Sequence, residues 1–278
     1  MNKLNIYCLS LYNEDLNKIK SLGYIPVGLG EKKFNSEWLR DYTHKNISKK
    51  NKFYGEYTFH YWLWKNNKIN FDGWIGFCQY RKFWKKNYTN HKVEDFFALN
   101  NTVLKEIPTE FAKFESIIGE KMFINQFRFS KFIKHNFRTM LANPSFFFDK
   151  NKRTIKFHFD MMHGHGNLDK AIELLNKEDR GDFNEFVNTE VSFNPHNMFL
   201  CKNKEILFSY YESLFPWLIN CEKIFGFKNL QGFGLQRIYG FLAERYMSYW
   251  FIKYTKTKIL PIVFFDINKK ERQMDASC

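Results

Sequence analysis

Short apolar runs alternate with stretches in which apolar positions recur every three or four residues over the first eighty positions. Residues 4–11 (LNIYCLSL) form a brief, bounded apolar run, which predicts a buried strand. Residues 13–21 predict a short helix closed by Gly23, and residues 24–29 (YIPVGL) a second strand with Gly28 and Gly30 at a tight exit. Residues 31–50 are polar and predict a loop ending in the cap-like Asn51. Phe53, Tyr57, His60, Tyr61 and Trp64 then share a helical stripe that runs to about Asn66; His60 reads as a member of that stripe without chemistry of its own. Residues 74–80 (WIGFCQY) predict a third strand, stopped by Arg81 and Lys82. The order strand, helix, strand, helix, strand argues for a parallel sheet covered by helices.

Farther on, residues 115–119 (ESIIG) predict another strand, and the basic, Phe-rich residues 122–153 predict helical segments of an insertion. Asn167 caps a helix with Leu168, Ala171, Ile172 and Leu175 on one face. Residues 199–201 predict a short strand, residues 203–221 a helix kinked at Pro216, and residues 235–251 a last strong helix. The final dozen residues read as frayed. No internal repeat, linker or low-complexity tract interrupts this order.

Of 278 residues, 44% are hydrophobic and 20% aromatic, with 33 Phe, 15 Tyr and 7 Trp. That volume can fill the core of one large α/β domain and excludes extended disorder. No run approaches the roughly 18 apolar residues of a membrane span. The N-terminal MNKLNIYCLS lacks a signal-peptide cleavage pattern, so the cytoplasm is the expected compartment. The formal net charge of +14 would attract polyanions. Heavy use of Lys, Asn, Ile and Phe, as an A/T-rich coding bias produces, explains the charge equally well. Five scattered cysteines without a C-x-x-C pair argue against a disulfide scaffold and a thiolate zinc site; Cys8, Cys78 and Cys201 read as small core residues.

Four places carry candidate chemistry. Gln79-Tyr80-Arg81-Lys82 sets two cations beyond the carboxyl end of the third strand, where ligands of open α/β sheets bind, and the fork of Arg81 suits a diphosphate. The alternative is the start of a solvated loop. In residues 157–169, His158, His163 and His165 lie near Asp160 and Asp169. A His/Asp/His metal site is one reading, since imidazole and carboxylate suit zinc or manganese, but the spacing fits no standard zinc pattern; Gly164 and Gly166 suggest a mobile loop, whose histidines either contact an anionic or sugar ligand or belong to plain surface. Asn194-Pro195-His196-Asn197, just before a strand, could line a cleft or serve turn geometry. Arg237, Glu244 and Arg245 cluster in helical projection, where an intrahelical ion pair is the simplest reading. P-loop, dinucleotide-fingerprint, nucleophile-elbow and Asp-x-Asp motifs do not occur.

These pieces form one pattern. Asn46-Ile47-Ser48, Lys50-Asn51, Glu56, Tyr61-Trp62-Leu63-Trp64-Lys65-Asn66 and Ile75-Gly76-Phe77-Cys78-Gln79-Tyr80-Arg81-Lys82-Phe83 resemble a bacterial glycosyltransferase-like family. That family, long labelled a domain of unknown function, is encoded in capsule and O-antigen clusters. Its motifs run N-I-S-x-K-N, E-x-T-x-x-Y-W-x-W-K-N and I-G-x-x-H-Y-R-R-F. Leu168-Asp169, Asn197-Met198-Phe199 and Arg237 through Gly240-Phe241-Leu242-Ala243-Glu244-Arg245 match later motifs, so the resemblance spans about residues 25–252. Gln79 replaces the family's His, Lys82 its second Arg, and residues 84–113 and 125–155 look longer than usual.

The resemblance implies an α/β, GT-A-like fold with a Rossmann-type, mostly parallel central sheet and a helical insertion. One domain over 1–255 would comprise a nucleotide-sugar-binding half (1–120), the insertion (121–160) and an acceptor half (161–255), with 256–278 a C-terminal tail. It implies transfer of a hexopyranose or furanose from a nucleotide-diphosphate donor, expected to be a UDP-sugar. The acceptor would be a growing capsular polysaccharide or lipopolysaccharide glycan, or its lipid-linked precursor. The donor would meet Val27, Gly28, Asn46, Lys50, Gln79, Tyr80, Arg81, Lys82 and Arg237; the acceptor would meet His196, Asn197 and Glu244. Asp169, His163 and His165, with Glu190 behind them, are the candidate catalytic bases. With no Asp-x-Asp, Arg81 and Lys82 are expected to supply the charge a metal would bring, so no cofactor is required; manganese or magnesium is the alternative. The positive surface would also suit peripheral attachment to an anionic inner membrane. A nucleic-acid-binding module is the competing class, opposed by dispersed charges and the lack of a recognised motif. An inactive relative serving in assembly rests on Gln79 alone.

Overall fold

The computed structural model describes residues 3–88, 92–126 and 149–268. Its first half alternates as the apolar pattern dictates. β1 (Leu4–Ser10) leads to α1 (Leu16–Ser21) and β2 (Ile25–Gly28), then β3 (Leu39–Arg40), α2 (Asn51–Tyr54), α3 (Tyr57–Asn66) and β4 (Trp74–Gln79). β5 (Lys82–Trp84), α4 (Phe96–Thr102), β6 (Ser116–Gly119) and β7 (Met122–Phe123) follow. The core of the expected helical insertion, 127–148, lies outside the described residues. The second half comprises α5 (Ile155–His163), α6 (Asn167–Ile172), α7 (Lys177–Thr189), β8 (Ser192–Phe193) and β9 (Phe199–Cys201). It ends with α8 (Lys204–Phe225), α9 (Gly232–Gln236), α10 (Ile238–Tyr254), β10 (Thr257–Leu260) and β11 (Ile262–Phe264).

The central sheet runs β10-β6-β9-β4-β1-β2-β3, with β5 pairing β4 and β11 pairing β5. β1 pairs in parallel with both β2 and β4, β2 with β3, and β6 with β10; β9 runs antiparallel between β4 and β6. The fold is therefore a mixed α/β architecture with a mostly parallel sheet flanked by helices. Side chains alternate across it. Tyr7, Leu9, Ile75, Phe77 and Phe199 enter the core under α3, α8 and α10, while Ile6, Cys8, Cys78 and Leu200 enter a second core with α1 and α4. Cys8, Cys78 and Cys201 are buried free thiols within these layers. Successive strands proceed from β1 to β3 on one side and resume with β4 on the other. The carboxyl ends of β1 and β4 thus flank a topological switch point.

Four expectations need correction. Residues 157–169 are not a mobile loop: Thr154 caps α5 through the Phe157 N–H, and the two glycines mark the break before α6. Gly164 (φ +94°) closes α5 and Gly166 (φ +73°) caps α6, so Asn167 is the first helical residue; its side chain donates back to the His163 carbonyl at 2.9 Å. Residues 235–251 are not one helix, because the chain breaks at Arg237 between α9 and α10. Lys82 starts a strand rather than a solvated loop. Finally, 256–268 is no tail: β10 joins β6 with Ile259 opposite Ile118, and β11 joins β5 with Val263 opposite Phe83. Burial of Leu260, Val263 and Ile267 is what draws this segment onto the sheet.

Candidate active site

A cleft of about 450 Å³ opens at the switch point, floored by Leu9 and Ser10 at the end of β1 and by Gln79 at the end of β4. Leu11 and Leu29 give it apolar lining, and Tyr80, Arg81, Lys82 and Arg237 bring polar and charged groups to it. The tight β4–β5 turn fixes the first two of these side chains. Arg81 lies over the Tyr80 ring at 4.7 Å, its Nε is 3.2 Å from the Asp266 carboxylate, and its carbonyl accepts from the Phe265 N–H at 3.0 Å. Half-exposed, the guanidinium faces solvent and the cleft. Arg237 arrives from the break between α9 and α10 and donates to Glu56 at 3.2 Å. The backbone of Gly55 (φ +57°) passes so close that a Cβ there would sit 2.3 Å from Arg237 Nη2, which only glycine permits.

Glu56 is the hub of the polar network beneath. Its Oε1 accepts from Gln79 Nε2 at 3.2 Å and Asn197 Nδ2 at 2.8 Å, and its Oε2 accepts from Arg237. Gln79 also donates to the His196 carbonyl at 2.9 Å, and Lys82 Nζ approaches His196 Nδ1 at 3.0 Å. His196 (φ +83°) and Asn197 (φ +53°) both adopt the left-handed region, a strained pair immediately before β9 that turns their side chains back to Glu56 and Lys82. Burial, then the Lys82 charge, pushes the His196 pKa down to about 3, so the ring is neutral near pH 7 and can accept from Lys82. Burial also lowers the Lys82 pKa, against the pull of Glu56 and Glu244.

This network borders a second space of about 240 Å³, which shares Glu56, Gln79, Lys82 and Arg237 with the cleft and adds Phe241 and Glu244 from α10. Phe241 and Glu244 in turn line a third cavity of about 640 Å³, walled by Met122, Met161, Met162, Phe193 and Leu235. Its polar side chains are His158 and His163 of α5, Gln231, Glu244 and Arg245. Arg245 is 1% exposed, bonds the Glu244 carboxylate through Nη1, and lies 3.2 Å from His158 Nδ1. Glu244 Oε1 accepts the His196 N–H at 2.6 Å. His163 stacks on Phe241 with centroids 4.0 Å apart, and its Nδ1 donates to the Gly234 carbonyl at 3.0 Å. Burial, followed by the Arg245 charge, holds the His158 pKa at about 3 and pushes that of His163 well below its ordinary value.

The structure thus gathers Gln79, Tyr80, Arg81, Lys82, Arg237, His196, Asn197 and Glu244 around adjoining cavities, with His163 at the far one. Other candidates lie elsewhere. Val27 is core, and Gly28 is covered by the Phe34 ring, 2.7 Å from where its Cβ would be. Asn46 shapes a turn through the Tyr42 and His44 carbonyls, and Lys50 pairs with Glu222 at 2.6 Å. Asp169 is tied to Lys156 at 2.5 Å, the exposed His165 faces Asp160 at 3.4 Å, and Glu190 faces Lys121 at 3.8 Å; none of the three lines these cavities. Arg237 pairs with Glu56, and Glu244 with its neighbour Arg245 in the same helix. Sequence reasoning gave Glu56 no role. Its position five residues after Asn51 in a motif was visible, but its partners lie up to 181 positions away.

Arg81, Lys82 and Arg237 line the strand exit, and the oxygens of Glu56 accept from three donors there; among the described residues no three His, Cys, Asp or Glu side chains converge as a ligand set. Among the described residues, too, no helix is long and apolar enough to cross a membrane.

Comparison with known proteins agrees with this architecture. The apo structure of WbbM, a bifunctional glycosyltransferase, superposes with a TM-score of 0.66 at 20% identity, over 95% of this chain and 45% of that one. This chain therefore spans less than half the length of that protein, and the likeness concerns the fold. No curated protein matches the sequence. The profile of a family described as a domain of unknown function, DUF4422, matches residues 6–256. With nine-tenths of its length under that profile, the chain belongs to the DUF4422 family.

Proposed function

We propose that this protein is a glycosyltransferase that moves a sugar from a nucleotide-diphosphate donor, best fitted by a UDP-sugar, to a hydroxyl of a growing surface glycan. One observation carries the reading: Arg81, Lys82 and Arg237 line a cleft at the switch point of a sheet shared in fold with a glycosyltransferase. In this reading the base and ribose lie along Leu9, Leu11 and Leu29. The diphosphate meets Arg81, whose fork can grip two oxygens, and Lys82. As the bond between sugar and diphosphate breaks, negative charge grows on the leaving oxygen; preorganised cations stabilise it without reorganising at that moment. The sugar then occupies the 240 Å³ space and the acceptor the 640 Å³ cavity. Gln79 needs no proton chemistry for its part, since its amide bridges Glu56 to the His196 carbonyl. Asp266 neutralises Arg81 before the donor arrives and must yield part of that contact to the diphosphate.

Because cations take the place of a metal at the strand exit, transfer from a panel of UDP-hexoses is expected to proceed unchanged in EDTA. Strict dependence on added manganese would overturn the arrangement. Arg81→Ala should lower donor turnover by ~10²-fold, the scale of removing one preorganised donor to a developing oxyanion. An unchanged rate in steady-state assays would remove Arg81 from this role. Work at the cytoplasmic face of an anionic membrane is the setting that a net charge of +14 and such an acceptor fit best.

A further inference from the structure

Resting on that reading, we propose that Glu244 is the general base that deprotonates the acceptor hydroxyl, and that transfer proceeds by a single inverting displacement. Position is the first argument. Glu244 lines both the 240 Å³ and the 640 Å³ spaces, at the point where a sugar held in the first would meet an acceptor held in the second. The other carboxylate of the smaller space, Glu56, already accepts from Gln79, Asn197 and Arg237. Each Glu244 oxygen accepts one hydrogen bond, from the His196 N–H and from Arg245, which leaves a lone pair on each for an incoming O–H.

Rigidity is the second argument. Arg245 is buried, and its Nε has no hydrogen-bond partner among the described residues, a cost that a merely structural arginine would not need. Its contact with Glu244 holds the carboxylate where it lines both cavities. His158 and His163, the imidazoles of the larger cavity, are poor bases: burial, and then the Arg245 charge beside them, disfavours the protonated ring of both. A carboxylate suffices here, because the acceptor oxygen becomes strongly acidic once it bonds to the anomeric carbon. In the step, the acceptor oxygen forms its bond to that carbon and its proton passes to Glu244. The carbon's bond to the diphosphate breaks, and the electron pair leaves on the diphosphate beside Arg81 and Lys82.

The test compares the full-length protein with Glu244→Gln and Glu244→Asp, using UDP for binding, and a UDP-hexose panel with octyl glycosides for transfer. Glu244→Gln is expected to keep the wild-type thermal shift with UDP while kcat falls ~10³-fold, within the range for losing a general base. Glu244→Asp, which retains a carboxylate, should recover part of that loss, and proton NMR of the product should show an inverted anomeric centre. A Glu244→Gln rate within about fivefold of wild type, or a retained configuration, overturns the assignment. Should Glu244→Gln fail to fold, Glu244→Asp decides: a wild-type UDP shift with kcat at least ~10-fold lower supports the role, and an unchanged kcat overturns it. A wild-type protein that transfers from no UDP-hexose to any glycoside, yet binds UDP, removes the glycosyltransferase reading and this role with it.

Discussion

Gly55 is the smallest side chain in the site and among the most constrained. Its positive φ and the guanidinium of Arg237 lying where a Cβ would be leave no room for alanine. Gly55→Ala is expected to cost about 1–3 kcal/mol through backbone strain and displacement of Arg237, and to weaken UDP binding. Urea midpoints together with a UDP titration would check both; a variant with wild-type stability and affinity would mean that Arg237 relocates freely. Glycine spacing hints at such a site, yet nothing local in the sequence says that Gly55 and Glu56 serve a residue 181 positions on. The cations at Arg81 and Lys82 were legible because strand polarity alone puts them at the ligand-binding edge. Of the candidate bases, His163 lines the larger cavity, while Asp169 pairs with Lys156 of the neighbouring helix, a contact that spacing along the chain does not announce.

Among the elements, strands with unbroken apolar runs and helices with clean stripes were readable, and β1, β2, α3, β4, β6, β9 and α8 stand close to where periodicity puts them. α7 escaped because its face is mostly charged, with Phe183 and Val187 as its buried apolar anchors, capped by Asn176. α5 escaped because Gly164 and Gly166 look like loop residues while acting as helix punctuation. β5, β10 and β11 are short and take their strand character from partners remote in sequence. They matter nonetheless: β11 and Asp266 hold the turn that carries Arg81. Stopping the chain after Thr255 should therefore lose the burial of Leu260, Val263 and Ile267, each worth about 1.5–3 kcal/mol. Calorimetry is expected to show a lower or less cooperative transition and a diminished response to UDP; an intact response would separate the strand pair from the cleft.

At the level of the whole molecule, buried histidines set the acid response. Desolvation holds His60, His158 and His196 near pKa 3, with Arg245 and Lys82 adding to it for the latter two. Unfolded, each ring titrates near 6.5, so below that pH the unfolded chain binds more protons and stability falls steadily toward pH 3. Each ring contributes about 1.4 kcal/mol of loss between pH 7.5 and 5.5. Asp15, raised by burial to about 6, works in the opposite sense: the folded chain holds its proton between about pH 6 and 3.8, which offsets part of the loss. Urea melts at the two pH values should reveal a drop of about 3–4 kcal/mol; a flat profile would mean that these rings are hydrated in solution.

The seating of β11 beside β5 has a consequence for how the protein is made. A ribosome releases residues 4–80 first, and that alternating half can collapse on its own apolar faces. Its cationic corner stays unassembled, however, until Phe264, Phe265 and Asp266 have emerged and docked against Lys82 and Arg81. That corner is thus completed only late in synthesis, when the C-terminal strand pair has emerged.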